Sequence, residues 1–312
     1  METIERKKIT IARENIARYI DFLRCPLCGE GFGLPDFSLR CRNRHTYDLA
    51  KKGYVNLFNG FTKITQVYDK NLFRARKSIA DSGMYSPLAD ELCRIISARA
   101  PNHPNHPDGA RHVLDAGCGC GNLTREIFGK LGAAPKTLMF GADLSKEGID
   151  FAASDFCGDN LIWLVANLNN LPFADSKFDV ILNIMSPANY EEFRRVLIPG
   201  GLLLKVVPDA DYLKELRRFI YGENDRNEYS NKDVLSNLSE NLTVSELIGV
   251  KYTHPVAADN IGELFDMTPL TSSITGREEI KQKLIGQVKI LGNLEVTLAF
   301  KIAVCEIQKD EE

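Results

Sequence analysis

The 312-residue sequence contains no apolar run near the ~18 residues a membrane span requires, so no transmembrane helix is expected. Its opening, Met1-Glu2-Thr3-Ile4-Glu5-Arg6-Lys7-Lys8, lacks the apolar core and cleavage site of a secretory signal, and a cytosolic (cytoplasmic) setting is expected. No internal repeat is present. The net charge is only -3, which argues against a chain that coats nucleic acid by bulk charge. That small sum hides an asymmetry. Residues 1–80 carry 16 Lys/Arg against 8 Asp/Glu, and the rest carry 23 against 34. A basic front end on an acidic body suggests that the front end meets phosphates; a solvated basic face is the plainer alternative. Eight cysteines without a secretory context point toward metal binding rather than disulfides. The 44% hydrophobic content is enough for one large domain and a small one.

The chain is organised around Val113-Leu114-Asp115-Ala116-Gly117-Cys118-Gly119-Cys120-Gly121-Asn122, an apolar strand, a tight glycine turn and a helix start running on to Leu131. Glycines there let a ligand lie against bare backbone. Thr137–Asp143 reads as a second strand ending in a carboxylate, the place where doubly wound sheets hold ribose hydroxyls. Leu161–Asn167, Phe178–Met185 and Leu202–Val207 supply three more strands, with a polar Asn169-Asn170 turn and a Pro199-Gly200-Gly201 break between them. Near-continuously apolar strands alternating with helices indicate a parallel sheet covered on both faces.

The third glycine of a dinucleotide-binding G-x-G-x-x-G is missing, because Leu123 stands in its place, and this counts against a nicotinamide dehydrogenase. Asp115, Gly117/Gly119/Gly121, Asp143, the Asn167–Phe173 turn and Pro199-Gly200-Gly201 resemble the S-adenosylmethionine-dependent class I methyltransferases in order and spacing.

Ahead of that domain lie Cys25-Pro26-Leu27-Cys28 and Cys41-Arg42-Asn43-Arg44-His45, a Cys3His set with the spacing of a structural zinc site. A DNA-reading finger shares that spacing. Gly29, Gly31, Gly33 and Pro35 would break its recognition helix, so paired hairpins of a zinc ribbon are expected. Arg40, Arg42 and Arg44 would share one face if they lay on one strand, where they could contact RNA phosphates. Residues 1–20 have the spacing of an amphipathic helix.

The cysteine pairs followed by Tyr47-Asp48-Leu49-Ala50-Lys51-Lys52-Gly53-Tyr54-Val55-Asn56-Leu57, then Arg74-Ala75-Arg76, Gly83-Met84-Tyr85-Ser86-Pro87-Leu88 and Met267-Thr268-Pro269, resemble the large-subunit (23S) rRNA guanine-N1 methyltransferase A family from about Cys25 onward. The resemblance implies methylation of guanine N1 in a hairpin of domain II of 23S rRNA, and a homodimer acting on that rRNA or on a large-subunit precursor. It also implies structural zinc on Cys25, Cys28, Cys41 and His45. For S-adenosylmethionine it implies a site of Tyr85, Asp115, Gly117, Gly119, Gly121, Asn122, Leu123, Asp143, Asn167, Leu168 and Tyr212. The glycines would take the amino-acid part, Asp143 the ribose and Asn167/Leu168 the adenine edge. Tyr212 stands where the family's H-L-x-E-L has histidine.

Asn183 and Ser186, at the end of the fourth strand, are the best local candidates to touch the target base. The N-P-P-Y or D-P-P-Y of amino-group methyltransferases is absent around Met185-Ser186-Pro187, which fits a ring nitrogen. Cys118 and Cys120 are small residues of the turn, and Cys93, Cys157 and Cys305 read as buried thiols.

The expected architecture is a Rossmann-like α/β class I methyltransferase with a small N-terminal zinc ribbon. It divides into a helical extension (1–20), the ribbon (21–60), a helical connector (61–110) and the catalytic domain (111–312). The competing expectations are a small-molecule methyltransferase with a purely structural ribbon, and a zinc-ribbon binding protein with an inactive second domain.

Overall fold

The computed structural model describes residues 6–60, 70–100, 109–132, 136–222, 231–272 and 274–306. The proline-rich stretch Ala100–Gly109 reads as a linker with His103 and His106 in a surface loop; its residues 101–108 lie outside the described residues, as does the acidic end 309–312.

Helix α1 (Lys8–Arg18) packs on the body through buried Ile16 and Asn15. The Asn15 Nδ2 donates to the Gly158 carbonyl at 2.8 Å while its Oδ1 accepts from the Asn160 amide at 3.1 Å, so the amphipathic extension is docked by paired polar bonds. Next come strands β1 (Phe32–Gly33), β2 (Ser38–Cys41) and β3 (Thr46–Asp48), which form a three-stranded antiparallel sheet. This is the ribbon the glycine and proline density predicts.

Strand β4 (Tyr54–Asn56) leaves the ribbon and pairs parallel with the far edge of the large sheet. Helices α2 (Lys70–Asp81) and α3 (Ser86–Arg99) follow, then β5 (Ala110–Ala116), α4 (Asn122–Leu131), β6 (Lys136–Asp143), α5 (Lys146–Asp155), β7 (Leu161–Val165), β8 (Phe178–Ile184), α6 (Tyr190–Val196) and β9 (Leu197–Pro208). Gly200, at φ 78°, lies within β9, where the pairing with β8 shifts register; the expected break is an irregularity inside one strand.

The C-terminal third holds α7 (Lys214–Tyr221), α8 (Lys232–Asn241), β10 (Val244–Ala257), α9 (Ile261–Met267), α10 (Arg277–Leu291) and β11 (Asn293–Glu306). Residues 220–240 read as loop or cover from their polarity. Of these, 220–221 end α7, 223–230 lie outside the described residues, and 232–240 are helical, with Leu238 of α8 fully buried. A few well-placed leucines outweigh the weak helix propensity of the asparagines and serines.

The large sheet runs β10-β11-β9-β8-β5-β6-β7-β4, with its last two C-terminal strands antiparallel. Strands β4 to β9 are parallel. Because β5 pairs with both β6 and β8, the order reverses there, and the carboxyl ends of β5 and β8 flank the switch-point crevice where such sheets bind ligands. One face of the sheet carries a core containing Trp163, Phe265 and Phe300. The other carries Phe140, Phe173 and Phe178 in a cluster continuous with ribbon residues Leu39, Cys41 and Tyr47. The ribbon is thus welded to the body by a shared apolar core. Among the described residues no helix is long and apolar enough to cross a membrane.

Candidate active site and metal centre

The turn between Cys41 and His45 folds back on itself, Cys41 N donating to His45 O at 3.1 Å and Arg44 N to Cys41 O at 3.0 Å. This brings the ligand atoms of Cys25, Cys28, Cys41 and His45 within 4.8 Å of one another. Cys28 Sγ and Cys41 Sγ lie 3.7 Å apart, and His45 Nδ1 lies 3.4 Å from Cys25 Sγ and 3.5 Å from Cys41 Sγ. Tetrahedral zinc at ordinary bond lengths sets sulfur–sulfur edges of ~3.8 Å and sulfur–nitrogen edges of ~3.6 Å. The donor set therefore fits the metal in chemistry and in spacing. The Tyr47 hydroxyl lies 3.7 Å from Cys25 Sγ and accepts from Asn59 Nδ2 at 2.8 Å, an outer contact the spacing alone does not reveal.

The same reversal ends strand β2 at Cys41. Only Arg40 lies on the strand, Arg42 sits in the turn, and Arg44 has a left-handed φ of 63°. The three arginines do not share a strand face as their alternation suggested, because closing a ligand knuckle requires a turn there; all three are exposed.

The glycine turn lies at the carboxyl end of β5. Gly117, Gly119 and Gly121 have φ of 94°, 56° and 77°, a region that side chains disfavour. They differ in surroundings. A Cβ on Gly117 would stand 1.9 Å from Ser186 Oγ, and one on Gly121 would stand 2.6 Å from the Trp163 ring. At Gly119 the closest atom would be 4.0 Å away, leaving room beside the backbone for a ligand.

Two carboxylates face this turn. Asp143 accepts from the Gly119 amide at 2.9 Å and the Ser145 amide at 2.7 Å, and burial raises its pKa. Asp115 accepts from the Thr124 hydroxyl at 2.5 Å through Oδ2, but its buried Oδ1 has no partner among the described residues. Burial, and to a smaller degree the neighbouring Asp143, push its carboxyl up to about 7. An orphaned buried carboxylate oxygen at the end of the strand that leads into the glycine turn calls for a donor or a cation.

Tyr85 and Tyr212 converge, their hydroxyls 3.1 Å apart, with Met267 Sδ 3.9 Å from Tyr85 and Phe300 packed against both rings. Burial raises both phenol pKa values. The charge of Arg76 acts on Tyr85, Tyr212, Cys120 and Asp143 together, so this half-buried guanidinium lies among them, its Nε donating to Met267 O at 3.3 Å. In the sequence Arg76 stands out only as part of Arg-Ala-Arg, with nothing to say that α2 brings it here.

Asn167 closes its own turn, Oδ1 accepting from the Asn169 amide at 3.0 Å, and Leu168 lies beside Gly117. Asn122 Nδ2 donates to Asp81 at 2.6 Å, while its buried Oδ1 lacks a partner among the described residues. Leu123 is half-buried against the core.

Asn183 is fully buried, and its side chain is spent on its neighbours. Its Nδ2 donates to Ala116 O at 2.7 Å and Pro187 O at 3.0 Å, and its Oδ1 accepts from Lys205 Nζ at 2.5 Å. Ser186, by contrast, borders both the glycine turn and a cavity of about 500 Å³.

Residues 113–201 match the family described as "Methyltransferase domain", and residues 23–63 match "RlmA, N-terminal", a zinc ribbon. Over 82% of this chain and 89% of the relative, the sequence is 39% identical to YxjB of Bacillus subtilis (strain 168), provisionally named a 23S rRNA (guanine-N1)-methyltransferase. The chain belongs to the RlmA family. Other relatives include the 23S rRNA (guanine(748)-N(1))-methyltransferase of Streptomyces fradiae, 36% identical over 65% of this chain and 68% of that one. A Micromonospora griseorubida protein, provisionally named a 23S rRNA (guanine-N1)-methyltransferase, is 34% identical over 62% and 68%. The metal knuckle lies in the RlmA-matched stretch, and the glycine turn with both carboxylates lies in the methyltransferase-matched one.

Proposed function

We propose that this chain transfers a methyl group from S-adenosylmethionine to N1 of a guanine in a hairpin of domain II of 23S rRNA. The observation that carries the reading is the joining of an RlmA-type Cys3His knuckle and a methyltransferase glycine turn through one continuous core. The bound cofactor supplies a methyl carbon made electrophilic by a sulfonium, whose departure leaves a neutral thioether.

The chain's own residues would hold the cofactor. Gly117, Gly119 and Gly121 accommodate its amino-acid part. The unpaired Oδ1 of Asp115 suits its ammonium, and Arg76 suits its carboxylate. Asp143 keeps lone pairs for ribose hydroxyls, Asn167 and Leu168 border the adenine edge, and Asn122 and Leu123 open the helix beneath. Tyr85 and Tyr212 form an aromatic wall, a surface that attracts a sulfonium or an adenine ring. Tyrosine in place of the family's histidine retains a hydroxyl that donates and accepts.

Catalysis is then largely positioning, since the leaving group needs no acid. N1 lies on the pairing edge, so the guanine must be unpaired or flipped out, as in a hairpin loop. Arg40, Arg42 and Arg44 of the ribbon supply exposed charge for phosphates. A homodimer in the cytosol belongs to the same reading; edge strand β10, with Leu247 exposed, offers a surface on which a second copy could pair.

The test is methyl transfer from labelled S-adenosylmethionine to 23S rRNA lacking the modification, with the product mapped by primer extension. A stop at one hairpin guanine is expected. Cofactor binding without transfer to naked rRNA or assembled subunit would move the assignment to a small-molecule methyltransferase.

A further inference from the structure

The cavity at the carboxyl ends of β8 and β9 is bounded by Ser186, Pro187, Tyr190, Lys205, Asp233 and Asn237. It adjoins the cofactor turn, because Ser186 borders both. Lys205 stands in the middle of an apolar strand and is only 3% exposed, an expensive place for an ammonium. Its Nζ donates to two acceptors, Asn183 Oδ1 at 2.5 Å and Ser186 O at 2.5 Å. An ammonium has three hydrogens and no acceptor. Two are committed, and the side chain lines the cavity. The structure around it therefore presents a positive, single-hydrogen donor to whatever the cavity takes.

We propose that this cavity receives the target guanine and that Lys205 donates its remaining hydrogen to guanine O6. The inference rests on the rRNA reading above. As N1 loses its proton the charge spreads onto O6, and a buried donor aimed there stabilises that charge while methyl transfer proceeds. The balance is closed: the N1 proton passes to water at the open mouth of the cavity, and the N1 electron pair forms the bond to the methyl carbon. The sulfur–methyl pair returns to sulfur. Asn183, sealed behind Lys205, is a positioning residue that fixes the ammonium.

Among the described residues, the titratable groups around Lys205 are the Asp233 carboxylate and Tyr190 phenol of the cavity wall, and Cys305 on the neighbouring strand β11, two residues beyond its Cα partner Ala303. Desolvation lowers the Lys205 ammonium to about 8. The donor is therefore charged at neutral pH and is lost as the pH rises past that value, although guanine N1 becomes easier to deprotonate there.

The experiment is single-turnover methyl transfer between pH 6 and 10, using wild type and Lys205→Met. Each is given an rRNA hairpin carrying guanine or 6-thioguanine at the target, and cofactor binding is measured alongside. With guanine, Lys205→Met is expected to be slower by about 10²-fold with cofactor affinity retained. Its rate should keep rising through pH 9, where the wild-type profile flattens. With 6-thioguanine, whose sulfur accepts hydrogen bonds poorly, the ratio of the two rates should shrink about tenfold, roughly 1.4 kcal/mol. This ratio is taken within the same protein preparations, so partial misfolding cannot mimic it. Parallel pH profiles and an equal ratio for both bases would overturn the assignment of Lys205 while leaving rRNA methylation intact. A wild type that binds cofactor but never modifies the guanine hairpin would sink the rRNA reading itself, and the guanine pocket with it.

Discussion

The knuckle and the glycine turn hold their ligands by opposite means. At the knuckle, four side-chain donors from two turns converge to the edge lengths of a tetrahedron, and the surrounding residues pack behind them. At the turn, backbone and empty space make the site, and one buried carboxylate oxygen is left without a partner. The first arrangement is closed and stabilises a fold with too small a core of its own. The second leaves polar groups unsatisfied until a ligand arrives. A site built to stabilise and a site built to exchange can thus be told apart by where the unpaired atoms lie.

The strongest way to break the comparison is to remove the metal. Cys25→Ser, or exhaustive chelation, should release zinc from the purified protein and melt the ribbon. Because the ribbon shares a core with Phe173 and Phe140, the catalytic domain should lose stability too, with Tm falling by more than about 10 °C. Calorimetry with metal analysis would check it, and an unchanged melting curve after zinc loss would show that the core, not the metal, holds the ribbon.

Next in size are two glycine substitutions that separate packing from ligand space. Gly117→Ala places a Cβ against Ser186 in a left-handed backbone, and it should cost about 2–3 kcal/mol of stability as well as cofactor binding. Gly119→Ala meets nothing closer than 4.0 Å, so stability should fall by only about 1 kcal/mol while cofactor affinity falls at least ~10-fold. Denaturant melts and titration calorimetry distinguish the two, and equal stability losses would erase the distinction drawn between these glycines.

Much of this was legible in the sequence. Parallel strands announced themselves as apolar runs, and the ligand pairs at Cys25/Cys28 and Cys41/His45 by spacing. What stayed hidden depends on long-range placement. Strand β4 is three residues long and pairs with the edge of a sheet more than a hundred residues away. Lys205 looks like an interruption in an apolar strand until Asn183 is seen beside it. Strand β10 does alternate, with half-buried Ile248, Val250 and Tyr252 between exposed Gly249, Lys251 and Thr253, but only its pairing with β11 fixes its place at the end of the sheet. The direction of the Asn183 side chain was equally hidden, because it depends on the Ala116 and Pro187 carbonyls.

The third prediction concerns the unpaired oxygen. An Asp115 carboxyl held at about 7, above its unfolded value, makes the folded chain bind more protons than the unfolded chain between about pH 4 and 7. Its contribution to stability is therefore fully present below that window and is lost as the pH rises through it. Asp115→Asn removes the penalty, so the ligand-free variant should melt about 2–4 °C above wild type at pH 7.5. The same variant should bind cofactor about tenfold more weakly, and wild-type affinity should strengthen from pH 6 to 8 as the carboxylate ionises. A ligand-free variant less stable than wild type at pH 7.5 would show that Asp115 is already satisfied.

The smallest effect belongs to the exposed arginines, and it tests whether the ribbon does more than staple the chain. Arg40→Ala, Arg42→Ala and Arg44→Ala lie outside both ligand sites, so zinc content, Tm and cofactor affinity should hold. If each neutralises a phosphate, every substitution should flatten the dependence of log affinity on log salt by about 0.7–0.9, at an affinity loss of roughly threefold to tenfold at moderate salt. Fluorescence anisotropy with a labelled rRNA hairpin, repeated across salt concentrations, measures that slope. The three effects need not be equal. Arg40 projects from β2 while Arg42 and Arg44 ride on the turn that closes the knuckle, so their spacing is locked by the metal. Chelating zinc should therefore abolish the contributions of Arg42 and Arg44 more completely than that of Arg40. A slope that survives all three substitutions would move RNA contact off the ribbon and onto the body, reducing the knuckle to its structural role.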